Sequence, residues 1–313
     1  MTAISLGPGT TIAITGASGL IGSALSASLA DDGVRVIRMV RRGRESRESA
    51  LADTIAWDPG REWVDCDAFE AAEVTGVVHL AGAGVGDRRW TAAYQRTILD
   101  SRVQGTRAIA SAVAKMDPQP ALVSGSAIGY YGDTGNRSVD ESGACGTTFL
   151  ANVVRQWEEA TAAARQAGAR VVCARTGLVV SARGGAFARL IKLTRMGLGG
   201  RVGSGNQLWS FIALADEVAA LRWSLERDVE GPINLVAPHP VPNRKIMREM
   251  GRVLHRPSIV PAPAAALRIA VGKFAGEILA SQGVLPGRLS QGGFTWQAPT
   301  FGAALELELG VGS

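Results

Sequence analysis

The chain has 313 residues, room for one large α/β domain and a smaller appendage. With 46% hydrophobic and 19% charged residues, the composition is that of an ordinary soluble globular protein and does not indicate disorder. The 33 basic and 28 acidic residues leave a net charge of +5, but the cations are scattered and nearly all arginine, with no aromatic-interleaved basic stripe, so nucleic acid is not an expected partner.

Thr11-Ile12-Ala13-Ile14 is an apolar run expected as a buried parallel strand. It leads through Thr15-Gly16-Ala17-Ser18-Gly19-Leu20-Ile21-Gly22 into an apolar-periodic helix from Ser23 to Leu29. Strand, glycine turn and helix are the context of a dinucleotide site. Gly16 permits the tight turn, Gly19 lets the backbone approach a pyrophosphate, and Gly22 brings helix and strand together. The phosphates then meet the free N–H groups and positive end of the helix. Asp31-Asp32-Gly33 closes that helix, and Val34 to Val40 is the second expected strand. An NAD site places a carboxylate near the end of this strand; here stand Arg41 and Arg42, the start of a cluster that includes Arg44. Two guanidinium groups suit a 2′-phosphate, so NADP(H) is the expected cofactor.

Thr54 to Asp58 is a third strand, with Asp58 placed near the adenine edge. Val77 to Gly84 is a fourth, ending in small residues that let the chain pass under the cofactor. The loop Asp87-Arg88-Arg89-Trp90 precedes a helix from Thr91 to Ala114. Ala121 to Ser126 is the fifth strand, and Tyr130-Tyr131-Gly132 follows just beyond it. Ligands of open α/β sheets bind at the carboxyl ends of strands, which makes Ser126, Tyr130 and Tyr131 candidates for substrate contact.

A helix is expected from Phe149 to Ala167 and a sixth strand from Arg170 to Arg175. The glycine-rich segment from Gly184 to Gly205, with a helix from Phe187 to Met196, breaks the α/β alternation and reads as a second lobe over the nicotinamide end. Trp209 to Ile212 and a helix from Asp216 are expected to return to the sheet, and Ile233 to Val236 adds a strand. Asn243 is expected to cap a helix to Leu254; an extended link from Pro257 to Pro263 and a helix from Ala264 to Ala280 follow. The expected fold is α/β, a Rossmann-type doubly wound parallel sheet. Residues 1–180 with 209–238 would form the nucleotide domain, and 181–208 with 239–313 a smaller substrate lobe and carboxyl-terminal helical domain.

Cys66, Cys145 and Cys173 are far apart and form no C-x-x-C pair, which points away from a disulfide framework or zinc site and towards a reducing cytoplasm. His79, His239 and His255 stand alone, so no metal is expected. No signal peptide is recognisable, and no apolar run reaches the roughly 18 residues of a membrane span.

Several stretches together resemble the extended short-chain dehydrogenase/reductase superfamily: the glycine motif, His79-Leu80-Ala81-Gly82, the strand ending in Ser126, Arg175-Thr176-Gly177, and Phe211-Ile212 through Asp216. Arg89-Trp90-Thr91, Ser101-Arg102-Val103, Gly129-Tyr130-Tyr131-Gly132, Phe149-Leu150-Ala151 with Trp157-Glu158, Gly197 to Gly205 and Asn234 to Pro238 are similar to one atypical branch, the epimerase-family or sugar-nucleotide-epimerase-like proteins. Residues from about Met247 to Trp296 resemble that branch's own carboxyl-terminal domain. The resemblance implies NADP(H) contacts from Gly16, Ser18, Gly19, Leu20, Ile21 and Gly22 at the turn and from Arg41, Arg42 and Asp58 at the adenosine end. It further implies contacts from Leu80, Ala81, Gly82, Arg102 and Val179 near the nicotinamide.

In the superfamily a Tyr moves a proton, a Lys four residues later lowers its pKa, a Ser orients the carbonyl and an Asn positions the Lys. The resemblance puts the Ser at Ser126, the Tyr on or beside Phe149 and the Lys on or beside Val153. The residues four after Tyr94, Tyr130 and Tyr131 are Ile98, Thr134 and Gly135, and no Lys lies between Lys115 and Lys192, so the Tyr-x-x-x-Lys pair is absent. The Asn position reads Arg102-Val103-Gln104-Gly105-Thr106. Without the Lys, a phenol of pKa about 10 keeps its proton at neutral pH. Arg102 is the candidate to supply the missing charge or only to anchor the cofactor, and Tyr130 or Tyr131 is the candidate acid. The expected function is an NADP(H)-dependent oxidoreductase or epimerase of unusual active site, acting on a small-molecule substrate that is polar or nucleotide-linked. The alternative is a non-catalytic NADP(H)-binding regulator, for example of cell division, acting through a protein partner or as a homodimer.

Overall fold

All five residues of Thr11–Thr15 (β1) are buried. A strand covered by helices on both faces requires that, and β-branched Thr and Ile suit it. The computed structural model describes residues 3–43 and 53–311. The following strands are β2 (Arg35–Arg41), β3 (Thr54–Asp58), β4 (Trp63–Val64), β5 (Gly76–His79), β6 (Ala121–Ala127), β7 (Val171–Thr176), β8 (Leu178–Val180), β9 (Leu208–Trp209), β10 (Phe211–Ala213), β11 (Gly231–Leu235) and β12 (Val241–Pro242). Eight of them form one sheet in the order β11-β7-β6-β5-β1-β2-β3-β4, parallel throughout except for the antiparallel edge strand β4. The strand order reverses beside β1, whose Thr15 lies in register with Met39 on one side and His79 on the other. That reversal opens a crevice at the carboxyl ends of β1 and β5.

The helices are α1 (Leu20–Asp31), α2 (Cys66–Ala71), α3 (Ala92–Lys115), α4 (Phe149–Glu159), α5 (Ala162–Gln166), α6 (Gly185–Arg195), α7 (Leu214–Glu226), α8 (Asn243–Val253), α9 (Ala264–Val271), α10 (Ala275–Leu279), α11 (Gly287–Gln291) and α12 (Phe301–Leu309). Successive side chains of a strand point to opposite faces, and the cores divide accordingly. Ile12 and Ile14 pack with Leu25 and Leu29 of α1 and Leu221 and Leu225 of α7. Ala13 joins Ile109 and Val113 of α3 and Ala164 of α5 on the other face. A third core unites Phe187, Ile191, Trp209, Phe211, Met247, Met250, Phe301 and Leu305 beside the sheet.

Four sequence expectations are corrected. The segment from Trp209 to Ile212 does not re-enter the main sheet: β10 pairs in parallel with β8, and β9 pairs with β12, because these side chains fill the third core. The helix expected to Ala167 breaks after Glu159, where the hydroxyl of buried Thr161 donates to the carbonyl of Glu158 at 2.7 Å and turns the chain into α5. The helix expected from Ala264 to Ala280 ends at Val271, where Gly272 adopts φ +63. Asn243 does not cap its helix; its Oδ1 accepts from the Val202 N–H at 2.8 Å and ties α8 to the glycine-rich segment. The edge strand β4 has only two residues and carries no periodicity to read.

Candidate functional site

The turn after β1 is built by backbone proximity. Gly16 adopts φ +69, and a Cβ there would press within 3.1 Å of the Leu80–Ala81 backbone. At Gly22 a Cβ would lie 2.2 Å from the Gly16 carbonyl oxygen, so only glycine lets α1 pack this close. Gly19 is exposed and closes the turn by donating its N–H to Gly16 at 2.9 Å. Helix α1 has no side-chain cap and no acid in its first turn, and its first intrahelical donor is Ser23. The amides of Leu20, Ile21 and Gly22 are therefore left for an external acceptor at the positive end of the helix dipole. The exposed Ser18 and Gly19 border that cradle. Such a set of donors fits a pyrophosphate.

At the carboxyl end of β2, Arg41 and Arg42 are both exposed. The Arg42 N–H donates to the Trp57 carbonyl at 2.8 Å, and its guanidinium carbon lies 5.3 Å from the centroid of the Trp63 ring. The edge strand thus gives Arg42 a stacking platform. Asp58 caps the turn Pro59–Arg61 by accepting from the Gly60 N–H at 3.0 Å, with Arg61 3.7 Å away. Arg44 lies outside the described residues.

Leu80, Ala81 and Gly82 follow β5 and are pinned from beneath. The Thr15 Oγ accepts from the N–H groups of Leu80 at 3.1 Å and Ala81 at 3.2 Å and lies 2.7 Å from Nδ1 of His79. With both lone pairs engaged, the Thr15 hydroxyl donates to His79, whose proton then resides on Nε2. Burial, and secondarily the charge of Arg102, pushes the pKa of His79 down to about 3. His79 is thus a neutral structural residue. Among the described residues no cluster of His, Cys, Asp and Glu could hold a metal.

From α3, Arg102 donates to the carbonyls of Ala83 at 2.8 Å and Ile98 at 3.1 Å, and its stem and guanidinium cover Gly82. Its guanidinium also stands 5.0 Å from the Trp157 ring centroid. Burial lowers its pKa to about 10, which leaves it charged at neutral pH. The same loop is held by Ser101, accepting from the Ala83 N–H at 3.1 Å, by the Tyr94 hydroxyl on the Gly84 carbonyl at 2.5 Å, and by the Trp90 indole on the Val85 carbonyl at 2.8 Å. Sequence reasoning missed Tyr94 and Ser101 as holders of this loop. Their only signal was i, i+7 spacing on one face of a helix, which is also the spacing of ordinary packing.

Phe149 and Val153, on the first turns of α4, stand in an apolar cluster. Trp90 lies 5.1 Å from Phe149 and 5.2 Å from Phe274, ring centroid to ring centroid, over buried Ile98 and Val153. Phe274 comes from the carboxyl-terminal region, so that region packs against the loop after β5 at Gly86 and Trp90.

Ser126, Tyr130 and Tyr131 are drawn into one network. The Ser126 hydroxyl donates to Glu158 at 2.6 Å. Arg175 grips both oxygens of Glu158 at 2.8 Å and donates to the Tyr131 hydroxyl at 2.8 Å, and Tyr131 donates to Asn234 at 2.8 Å. Tyr131 is buried, and burial, partly offset by Arg175, pushes its pKa up to about 12. Its hydroxyl is committed to structure, which is a different place from the one the sequence expectation gave it. Tyr130 is half-buried, with its ring centroid 3.5 Å from the guanidinium carbon of Arg175. Val179, in β8, is partly buried, and its carbonyl lies beside Gly185 at the start of α6, where Gly184 and Gly185 abut the side chain of Leu20. The segment that starts α6 thus meets the first residue of α1 directly.

Residues 12–236 match the NAD dependent epimerase/dehydratase family, and residues 262–307 match a domain of unknown function, DUF1731. The chain is 42% identical over 296 residues to epimerase family protein Mb2239 of Mycobacterium bovis, covering 94% of this chain and 96% of that protein. It superimposes on the crystal structure of human epimerase family protein SDR39U1 with NADPH at a TM-score of 0.84 and 30% identity, covering 95% of this chain and 98% of the human one. The nucleoside-diphosphate sugar epimerase from Corynebacterium glutamicum gives a TM-score of 0.78 and 33% identity, over 98% of this chain and 59% of that one.

Proposed function

Because this chain belongs to the NAD dependent epimerase/dehydratase family, we propose that it is an NADP(H)-dependent oxidoreductase or epimerase whose active site works without a Tyr-Lys pair. The observation that carries this reading is the joining of two features by the loop after β5: an uncapped α1 amino terminus for a pyrophosphate, whose Gly16 packs against the Leu80–Ala81 backbone, and an aromatic cluster of Trp90, Phe149 and Phe274, whose Trp90 indole holds the Val85 carbonyl farther along. The NADPH in the human relative's crystal structure supports the same reading. Leu20, Ile21 and Gly22 would hold the pyrophosphate through their amides, and Arg41 and Arg42 the 2′-phosphate. Leu80 to Gly82, fixed by Thr15 and covered by Arg102, would run under the nicotinamide ribose. Bound there, the cofactor would supply a hydride as NADPH or accept one as NADP+.

The chain's own contribution is orientation, exclusion of water by the aromatic cluster and movement of one proton. Of the two tyrosines after β6, Tyr130 is the proton carrier in this reading, because the Tyr131 hydroxyl already donates to Asn234. Arg102 keeps a permanent positive charge over the loop after β5. The test is stereospecific transfer of deuterium from labelled NADPH to a panel of carbonyl compounds and sugar nucleotides. Transfer to any of them, lost in Tyr130→Phe, supports the reading; tight NADPH binding with no transfer to any would make the chain a nucleotide-binding regulator instead.

A further inference from the structure

Five large aliphatic side chains of the second lobe are left in solvent: Leu193, Met196, Leu198, Ile259 and Val260, with Ile259 80% exposed. They belong to two segments that are zipped together. The Leu198 N–H donates to the Leu193 carbonyl, the Val260 N–H to the Gly199 carbonyl and the Ala262 N–H to the Arg201 carbonyl, each at 2.9 Å. The backbone of Val260 occupies the space that a Cβ on Gly200 would need, so the two segments form one surface. Single exposed aliphatics are ordinary on a monomer, whereas five on two segments bonded to each other form an apolar face of the kind that serves binding.

Charge says what could cover it. Lys192, Arg195, Arg201 and Arg256 are all exposed around these residues, and Arg256 donates to the Arg195 carbonyl at 3.3 Å. No aspartate or glutamate occurs from residue 160 to 215 or from 250 to 276, so the surrounding sequence is basic on both segments. None of these four cations forms a salt bridge among the described residues. A second copy seated symmetrically on this patch would set these cations against themselves, an unfavourable desolvated contact. A lipid surface is the weaker match, because the five residues include no Trp or Tyr of the kind that anchors at a membrane interface.

We infer that this face is a docking surface for an acidic segment of another protein, one that presents an aliphatic stripe flanked by carboxylates, as an amphipathic helix does. The aliphatic ridge supplies the buried area and the arginines steer and select. The inference does not depend on the cofactor reading.

It can be tested by selecting a displayed library of random 16-residue peptides against the whole protein with NADPH present, then measuring the enriched peptides by fluorescence anisotropy. The expected winners are net acidic with aliphatic residues three and four apart, and they lose at least tenfold in affinity to Met196→Ser/Ile259→Ser and to Arg195→Glu/Arg256→Glu. The same variants should keep the parent's melting temperature and NADPH affinity, which separates loss of docking from loss of fold or of cofactor. Neutral or basic winners, or acidic winners whose binding ignores both variants, would overturn the inference. So would binding to vesicles containing anionic lipid with no peptide enriched, or a dimer in sedimentation that dissolves in Met196→Ser/Ile259→Ser.

Discussion

Arg175 and Glu158 form a two-bond ion pair in the interior, with the arginine side chain 3% exposed and both N–H···O distances 2.8 Å. One partner lies at the end of β7 and the other on the last turn of α4, so the pair locks the helix that carries Phe149 against the sheet. A buried pair contributes little net stability over an apolar pair of the same shape, but half of it is costly. Arg175→Met, which leaves the Glu158 carboxylate and the Tyr131 hydroxyl without their donor, should cost about 3–5 kcal/mol in urea unfolding. Adding Glu158→Leu should recover part of that loss; equal stability of single variant and parent would show that the pair is solvated.

Glycines 19 and 22 should fail differently. A side chain at Gly22 collides with the Gly16 carbonyl, so Gly22→Val should lower the melting temperature. At Gly19 the nearest obstacle is the Gly16 oxygen at 3.2 Å, a contact that a shift of a few tenths of an ångström relieves. Gly19→Val should therefore melt near the parent temperature yet bind no NADPH by calorimetry, since its methyls would occupy the place proposed for the phosphates.

In the proposed reading, cofactor selectivity rests on the exposed Arg41 and Arg42. NADPH should bind more tightly than NADH by about 1.5–3 kcal/mol, the range for hydrogen bonds to charged groups, and Arg41→Ala/Arg42→Ala should erase most of the difference. Equal affinities in the parent would remove the 2′-phosphate assignment.

The two tyrosines separate structure from chemistry. Tyr131→Phe removes a bond from Arg175 and one to Asn234, and should destabilise the fold by about 1–3 kcal/mol. Tyr130→Phe should leave stability and NADPH affinity unchanged while lowering turnover about 100-fold or more. Unchanged turnover in Tyr130→Phe would end its assignment as proton carrier.

Glu217 makes stability depend on pH. It is fully buried, its Oε1 accepts from the Thr176 hydroxyl at 2.7 Å and its Oε2 has no hydrogen-bond partner among the described residues. Burial, opposed by the Thr176 bond, pushes its pKa from 4.5 up to about 8. A raised folded-state value means the protonated form is favoured on folding. Its contribution is complete below pH 4.5 and is lost as pH rises to about 8. Glu217→Gln should remove this decline, so that the variant gains on the parent between pH 5 and pH 8 in chemical unfolding by an amount on the order of a few kcal/mol.

What the sequence by itself determined is local or periodic. The glycine spacing after β1, the apolar strands, the two arginines ending β2 and the missing Tyr-x-x-x-Lys pair are all statements about neighbours along the chain, and each element they mark begins within a few residues of its expected place. The tertiary structure decided everything that depends on residues distant in sequence. Asn243 bonding to Val202 instead of capping its helix, β10 leaving the main sheet for β8, and Tyr131 bonding to Asn234, 103 residues away, follow from packing that no window of sequence contains. The same reason separates the two adjacent tyrosines. In the sequence they are interchangeable, but one side chain turns into the core, where burial demands partners for its hydroxyl, and the other lies over Arg175 at the rim.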